Sequence, residues 1–121
     1  MAFIQDGVKQ IEQEELKEVL KTGSEKVVVI DVREREEYNA SHIPGIPLIP
    51  MSNFPNVIND LRTDKEYIIV CRSGNRSQHV ALFLKEHGIT AHNFYGGMLS
   101  WGDEVQTGLE NVITDISQLY K

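Results

Sequence analysis

Two short runs constrain the fold of this chain more than anything else in it: "KVVVID" at 26–31 and "EYIIVC" at 66–71. Neither alternates apolar with polar residues, so neither suits a sheet with one wet face. Continuous β-branched and aliphatic runs of this length suit strands buried on both faces. A helical period separates them from their neighbours. "QEELKEVLKTG" sets Leu16, Val19 and Leu20 at helical spacing with Gly23 as the stop. Its Glu14–Lys17 and Glu18–Lys21 pairs read as a solvated face. "NFPNVINDLRT" reads as a helix with Asn53 as cap and Pro55 in the first turn. "SQHVALFLKEHG" gives another, with Val80, Phe83, Leu84 and His87 on one stripe and Gly88 at its end. "AHNFYGG" predicts a short strand and turn, and "GGMLSWGDEV" a last helical piece. In "REREEYNASHIPGIPLIP" a helical turn gives way to three prolines, which predict an ordered loop leading to a short edge strand.

Strands that alternate with helices predict an α/β fold whose sheet is parallel and covered on both faces. In such sheets functional groups collect at the carboxyl ends of strands, where Asp31 and Cys71 both fall. A length of 121 residues suits one domain over 1–121. No repeat or linker interrupts it, and residues 110–121 read as a tail packed on that domain by a short helix. The net charge of −6 disfavours nucleic acid and anionic membranes as partners. Apolar runs such as "VVVI" are too short to span a bilayer. A single cysteine excludes an intrachain disulfide and points to a reducing compartment. The opening "MAFIQDGVKQ" lacks the pattern of a secretory leader, so the expected location is cytoplasmic.

That cysteine opens the segment "CRSGNRS", residues 71–77. A strand, a tight loop and a helix start would aim several backbone N–H groups at one point, and the helix dipole adds to them. Gly74 takes positive φ without strain and Asn75 tolerates it, so the loop can curl into an anion nest. Arg72 and Arg76 bring two cations, at least one of them able to point inward, and Ser77 is placed to cap the helix. Such a cradle would favour the thiolate of Cys71. The competing reading is a small buried residue that ends a strand and stays inert.

"CRSGNRS" resembles the active-site loop of rhodanese-type sulfurtransferases, Cys-x-x-Gly-x-Arg-Ser. "DVREREEYNASHIPGI" resembles the upstream signature of that family and "GGMLSW" its downstream Gly-Gly-x-x-x-Trp, in the same order. The departures are Ser41 where glycine is usual and Ile46 where alanine is usual, both away from the cysteine loop. The resemblance covers roughly Val8 to Leu109 and implies a three-layer sandwich with a central, mainly parallel sheet flanked by helices. It implies that Cys71 is the nucleophile, carrying a sulfane sulfur as a persulfide. Arg72, Ser73, Gly74, Asn75, Arg76 and Ser77 match the loop that holds this sulfur and its anionic donor. The implied partners are thiosulfate or a related sulfur donor, and cyanide, a thiol or a protein as acceptor. A double displacement of this kind calls for no metal or organic cofactor. Two other functions stay open. One is a persulfide carrier or regulatory binding module with little turnover. The other is a phosphatase or arsenate reductase, whose loops carry Cys-x5-Arg where this chain has Cys-x4-Arg.

Several further residues are read as scaffold. Asp31 and Arg33 are expected to form a buried ion pair or loop-fixing hydrogen bonds, and His42 to tie the Pro/Gly loop to neighbouring backbone. His79, His87 and His92 have no metal-ligand spacing. Met98 and Trp101 are expected to pack beneath the last helix.

Overall fold

The computed structural model describes residues 3–120. Both apolar runs become neighbouring parallel strands of one five-stranded sheet. The strands are β1 (Phe3–Gln5), β2 (Val8–Ile11), β3 (Val27–Asp31), β4 (Glu66–Val70) and β5 (Thr90–Phe94), in spatial order β1-β2-β5-β4-β3. β2, β5, β4 and β3 run parallel, and β1 pairs antiparallel with β2. The helices are α1 (Gln13–Thr22), α2 (Arg35–Ala40), α3 (Phe54–Val57), α4 (Asn75–Glu86) and α5 (Gly97–Ser100).

Alternation along β3 and β4 sorts the core into two layers. Ile30, Tyr67 and Ile69 face Phe54, Ile58, Val80, Ala81 and Leu84, so α3 and α4 cover that side. Val29, Ile68 and Val70 face Leu16 of α1 and Ile43 and Ile46 of the Pro/Gly loop, with Met98 and Trp101 packed at the margin. Burial on both faces is why these strands are apolar throughout. α1 ends as expected, on a left-handed Gly23 whose N–H bonds Val19 O at 3.1 Å. Its ion pairs run off the helix rather than along it: Glu15 meets Lys9 of β2 and Lys17 meets Asp103.

Three expectations need correction. The Pro/Gly stretch yields no edge strand, only single bridges from Leu48 to Asp31 and to Val112. The helix over 53–63 is broken into a 3-10 turn at Met51–Asn53, the single turn of α3 and another 3-10 turn at Ile58–Asp60. Asn53 makes no side-chain cap there, because it already holds the helical φ of −85° and ψ of −12° as the last residue of the preceding turn. The β1–β2 hairpin was not anticipated. It turns on Asp6 and Gly7, both at positive φ (51° and 79°), the geometry of a two-residue hairpin.

Residues beyond α5 return across the sheet. Ile116 is buried in the 3-10 turn Ile116–Tyr120, and the Tyr120 hydroxyl lies 2.6 Å from that of Tyr67. Among the described residues no helix is long and apolar enough to cross a membrane.

Candidate active site

Cys71 immediately follows β4, at the carboxyl edge of the sheet, and is 0% exposed. Its Sγ accepts the backbone N–H of Gly74 at 3.0 Å and lies 3.2 Å from Ser77 Oγ. The loop closes this tightly because Gly74 sits at φ +99°, where an L side chain is strained. A second support comes from below. Met98 N donates to Cys71 O at 2.9 Å and Leu99 N to Arg72 O at 3.0 Å, so the first turn of α5 holds the loop's own carbonyls. A Cβ on Gly97 would lie 2.4 Å from Cys71 O and 2.6 Å from Arg72 O, a clash with rigid backbone. The second glycine of "GGMLSW" is therefore what lets α5 approach the cysteine.

The remaining loop residues divide by exposure. Arg72, Ser73 and Asn75 are exposed, Arg76 is half-buried, and Gly74 and Ser77 are buried. Arg76 points to α2, where its two terminal nitrogens grip Glu37 at 2.7 and 2.8 Å. That hydrogen bonding to Arg76 pulls the Glu37 carboxyl down to about 2, helped by the Glu34 backbone N–H and opposed by burial. The Arg76 guanidinium is raised in turn, chiefly by Glu37, and it also feels Cys71. No carboxylate pairs with Arg72 among the described residues.

Ser77 does not cap α4. The helix begins two residues earlier than expected, at Asn75, with Gly74 as its N-cap. Ser77 therefore lies within the first turn, and its hydroxyl turns inward to Asn93 Oδ1 at 2.5 Å. Behind it stands a buried polar group that sequence reasoning missed: Asn93 of β5, Gln10 of β2 and Gln78 of α4. Asn93 Nδ2 donates to Gln10 Oε1 at 2.8 Å and to Gly74 O at 3.1 Å. Gln10 Nε2 donates to Gln78 Oε1 at 2.7 Å. The available signal was an asparagine inside the strand "AHNFYGG", a residue that strands disfavour.

The residues read as scaffold take scaffold positions. Arg33 grips Asp31 at 2.8 Å with both side chains nearly sealed from solvent, and its other bond, 2.7 Å to Ser41 O, ties β3 to the loop after α2. His42 is wholly buried, stacked on Tyr38 at 3.7 Å, with Nδ1 on Tyr38 O and Nε2 on Glu110. The bond from His42 holds the Glu110 carboxyl below its ordinary value. Burial raises the Tyr38 phenol to about 12. His79 is exposed on α4, His87 tilts on Phe83 past the end of that helix, and His92 lies on β5 with its pKa lowered by burial. Trp101 meets Phe94 edge-on and donates to Glu104 O at 2.7 Å.

The chain is similar to known proteins over most of its length. The rhodanese-like domain family matches residues 12–104. YtwF of Bacillus subtilis is 39% identical over 99 residues, covering 82% of this chain and 95% of its own. The thiosulfate sulfurtransferase GlpE of Pseudoalteromonas translucida is 35% identical over 64% of this chain and 74% of its own. The crystal structure of a rhodanese-like domain protein from Staphylococcus aureus superposes with a TM-score of 0.73 at 40% identity, covering 81% of this chain and 96% of that one.

Proposed function

This chain belongs to the rhodanese-like domain family, and from that premise we propose that it is a sulfurtransferase that works through a persulfide on Cys71. The observation that supports this reading best is the Cys71 sulfur, closed beneath its loop and accepting the Gly74 N–H at 3.0 Å. A sulfur anion there meets a fixed donor without reorganisation of the loop, which is electrostatic preorganisation in its simplest form.

In the first half-reaction the Cys71 thiolate attacks the outer sulfur of thiosulfate. A new S–S bond forms, the bond from that sulfur to the sulfonate breaks, and sulfite leaves with the electron pair. In the second, cyanide or an acceptor thiolate attacks the outer sulfur of the persulfide, and the Cys71 thiolate is the leaving group. Atoms and charge balance in both steps, and the sequence is nucleophilic covalent catalysis with ping-pong kinetics as its fingerprint. Arg72, exposed at the mouth, meets the anionic donor, while Ser73 and Asn75 complete the rim. Arg76 keeps its cation near the sulfur while Glu37 fixes its direction. The phosphatase or arsenate reductase alternative is disfavoured by the shorter Cys-x4-Arg spacing, which leaves less room for a tetrahedral oxyanion.

The test is thiosulfate-dependent thiocyanate formation by wild type and Cys71→Ser, with intact-mass analysis after donor treatment. Turnover together with an adduct of about one sulfur, both lost in the variant, is the expected result. An adduct with negligible turnover would instead assign the chain a carrier role. Neither signal with thiosulfate or persulfide donors would reject sulfur transfer.

A further inference from the structure

The buried polar group behind Cys71 has a fixed direction, and the direction bears on the sulfur. Three backbone carbonyls set it, since a carbonyl can only accept. Gln78 Nε2 donates to Gln5 O at 3.0 Å, so its Oε1 faces Gln10. Gln10 Nε2 donates to Val8 O at 3.1 Å and to that Gln78 oxygen, so its own Oε1 faces Asn93. Asn93 Nδ2 donates to Gly74 O at 3.1 Å and to that Gln10 oxygen, which leaves only Oδ1 for Ser77. Each amide is locked in one orientation by the next. The single proton of the Ser77 hydroxyl therefore lies on Asn93 Oδ1, at 2.5 Å. Toward Cys71 Sγ, at 3.2 Å, Ser77 presents lone pairs alone. It accepts from the S–H of a thiol and has nothing to give a thiolate.

We infer that Asn93, held by Gln10, is a positioning residue that keeps Ser77 an acceptor and so restrains ionisation of Cys71 in the resting protein. Asn93 and Gln10 act on the sulfur only through Ser77. When the thiolate forms, Gly74 N–H stays on the sulfur, but Ser77 gains a donor role only by abandoning Asn93 Oδ1 in a site sealed from water. Charging of the nucleophile is thereby coupled to a hydroxyl swing. The proposal rests on Cys71 as the reactive sulfur, yet its readout needs no sulfur transfer.

The charged groups on the elements that meet at Cys71 are Arg72 on its loop, Arg76 on α4, Glu34 and Glu37 at α2, and the Asp31–Arg33 pair at the end of the neighbouring strand β3. None is altered in the variants below, so their influence cancels in the comparison. The sequence holds one cysteine, so iodoacetamide uptake followed by intact mass reports Cys71 alone. The measurement is the pH midpoint of that alkylation rate for wild type, Ser77→Ala and Asn93→Leu. Ser77→Ala removes the acceptor of the S–H and is expected to move the midpoint down by about half a pH unit, the size of one modest hydrogen bond. Asn93→Leu frees the Ser77 proton for the thiolate and is expected to move it down further, by about one unit. A Ser77→Ala midpoint that stays or rises would mean that Ser77 donates to the thiolate, and would overturn the proposal. An unmoved midpoint in folded Asn93→Leu would remove Asn93 from it. Should Asn93→Leu fail to fold, the Ser77→Ala result decides. Loss of thiocyanate formation across all proteins with the expected midpoint shifts would count against the proposed function and leave this inference standing.

Discussion

At the scale of single residues, the two arginines of the loop do different work although the sequence presents them alike. Arg76 is committed to Glu37 through two short hydrogen bonds, whereas Arg72 is exposed and has no carboxylate partner among the described residues. On the proposed function an incoming dianion would feel both charges, but could take over Arg76 only by breaking a bidentate pair. Arg72→Ala should therefore raise KM for thiosulfate about 10-fold with little change in kcat, as expected for one charge-assisted contact at a solvent-exposed mouth. Steady-state kinetics over a range of thiosulfate concentrations would check it. A fall in kcat at unchanged KM would place Arg72 in the chemical step instead. Salt should weaken the Arg72 contribution and leave that of the buried Gly74 N–H almost untouched.

At the scale of elements, the Arg76–Glu37 pair links the first turn of α4 to α2 and so fixes the loop between them. Its pH dependence follows from the depressed carboxyl. The folded value of about 2 lies below the ordinary 4.5, so the pair's stabilisation is complete above pH 4.5 and is lost as pH falls towards 2. Both side chains are partly open to solvent, so the contribution is about 1–2 kcal/mol after allowing for screening. Glu37→Gln keeps the shape and removes the charge. Its Tm should fall below that of wild type at pH 7, and the gap should close between pH 4.5 and 2. Thermal unfolding at four or five pH values measures this, and a constant gap would refute the linkage. Here too lies the boundary of what the sequence makes legible. β3, β4, α1 and α4 are readable because burial on two faces, or one apolar stripe, leaves a continuous signature in the residues. α3 is readable only in part: Pro55 does stand in its first turn, but 3-10 turns on either side break the stretch into pieces too short to mark its ends. The hairpin was signalled by "QDGV", an Asp-Gly between short apolar segments, but β1 is exposed throughout and lacks a buried face to mark it as a strand. The loop "CRSGNRS" was legible because its seven residues are contiguous. Gln10, Gln78 and Asn93 come from three elements up to 83 residues apart, and no local pattern unites them.

At the scale of the whole molecule, the stretch beyond α5 is joined to the sheet at several independent places. Glu110 binds the buried His42 and the Gly45 N–H, Leu48 bridges both Asp31 and Val112, and the Tyr120 hydroxyl takes the Arg62 N–H beside Tyr67. Ile116 is buried in the same core layer as Tyr67, Ile69 and Leu84. The family match stops at residue 104, so sequence likeness alone gives this segment no place in the fold. Packing does. A tail that merely rested on the surface would melt separately and leave the sheet unaffected; one that fills the core layer should unfold with it. We therefore propose that residues 110–120 belong to the same cooperative unit as the sheet. Ile116→Ala removes a buried side chain whose loss costs about 2 kcal/mol, the low end for such truncations because the site lies near the surface. The expected outcome is a Tm lower by several degrees, with one transition that coincides in Trp101 fluorescence and far-UV circular dichroism. Trp101 lies in the opposite core layer from Ile116, packed near Val70 and Phe94, so its signal reports the body of the domain rather than the tail. A variant whose Trp101 transition stays in place while other probes shift would show the segment to be an independent appendage.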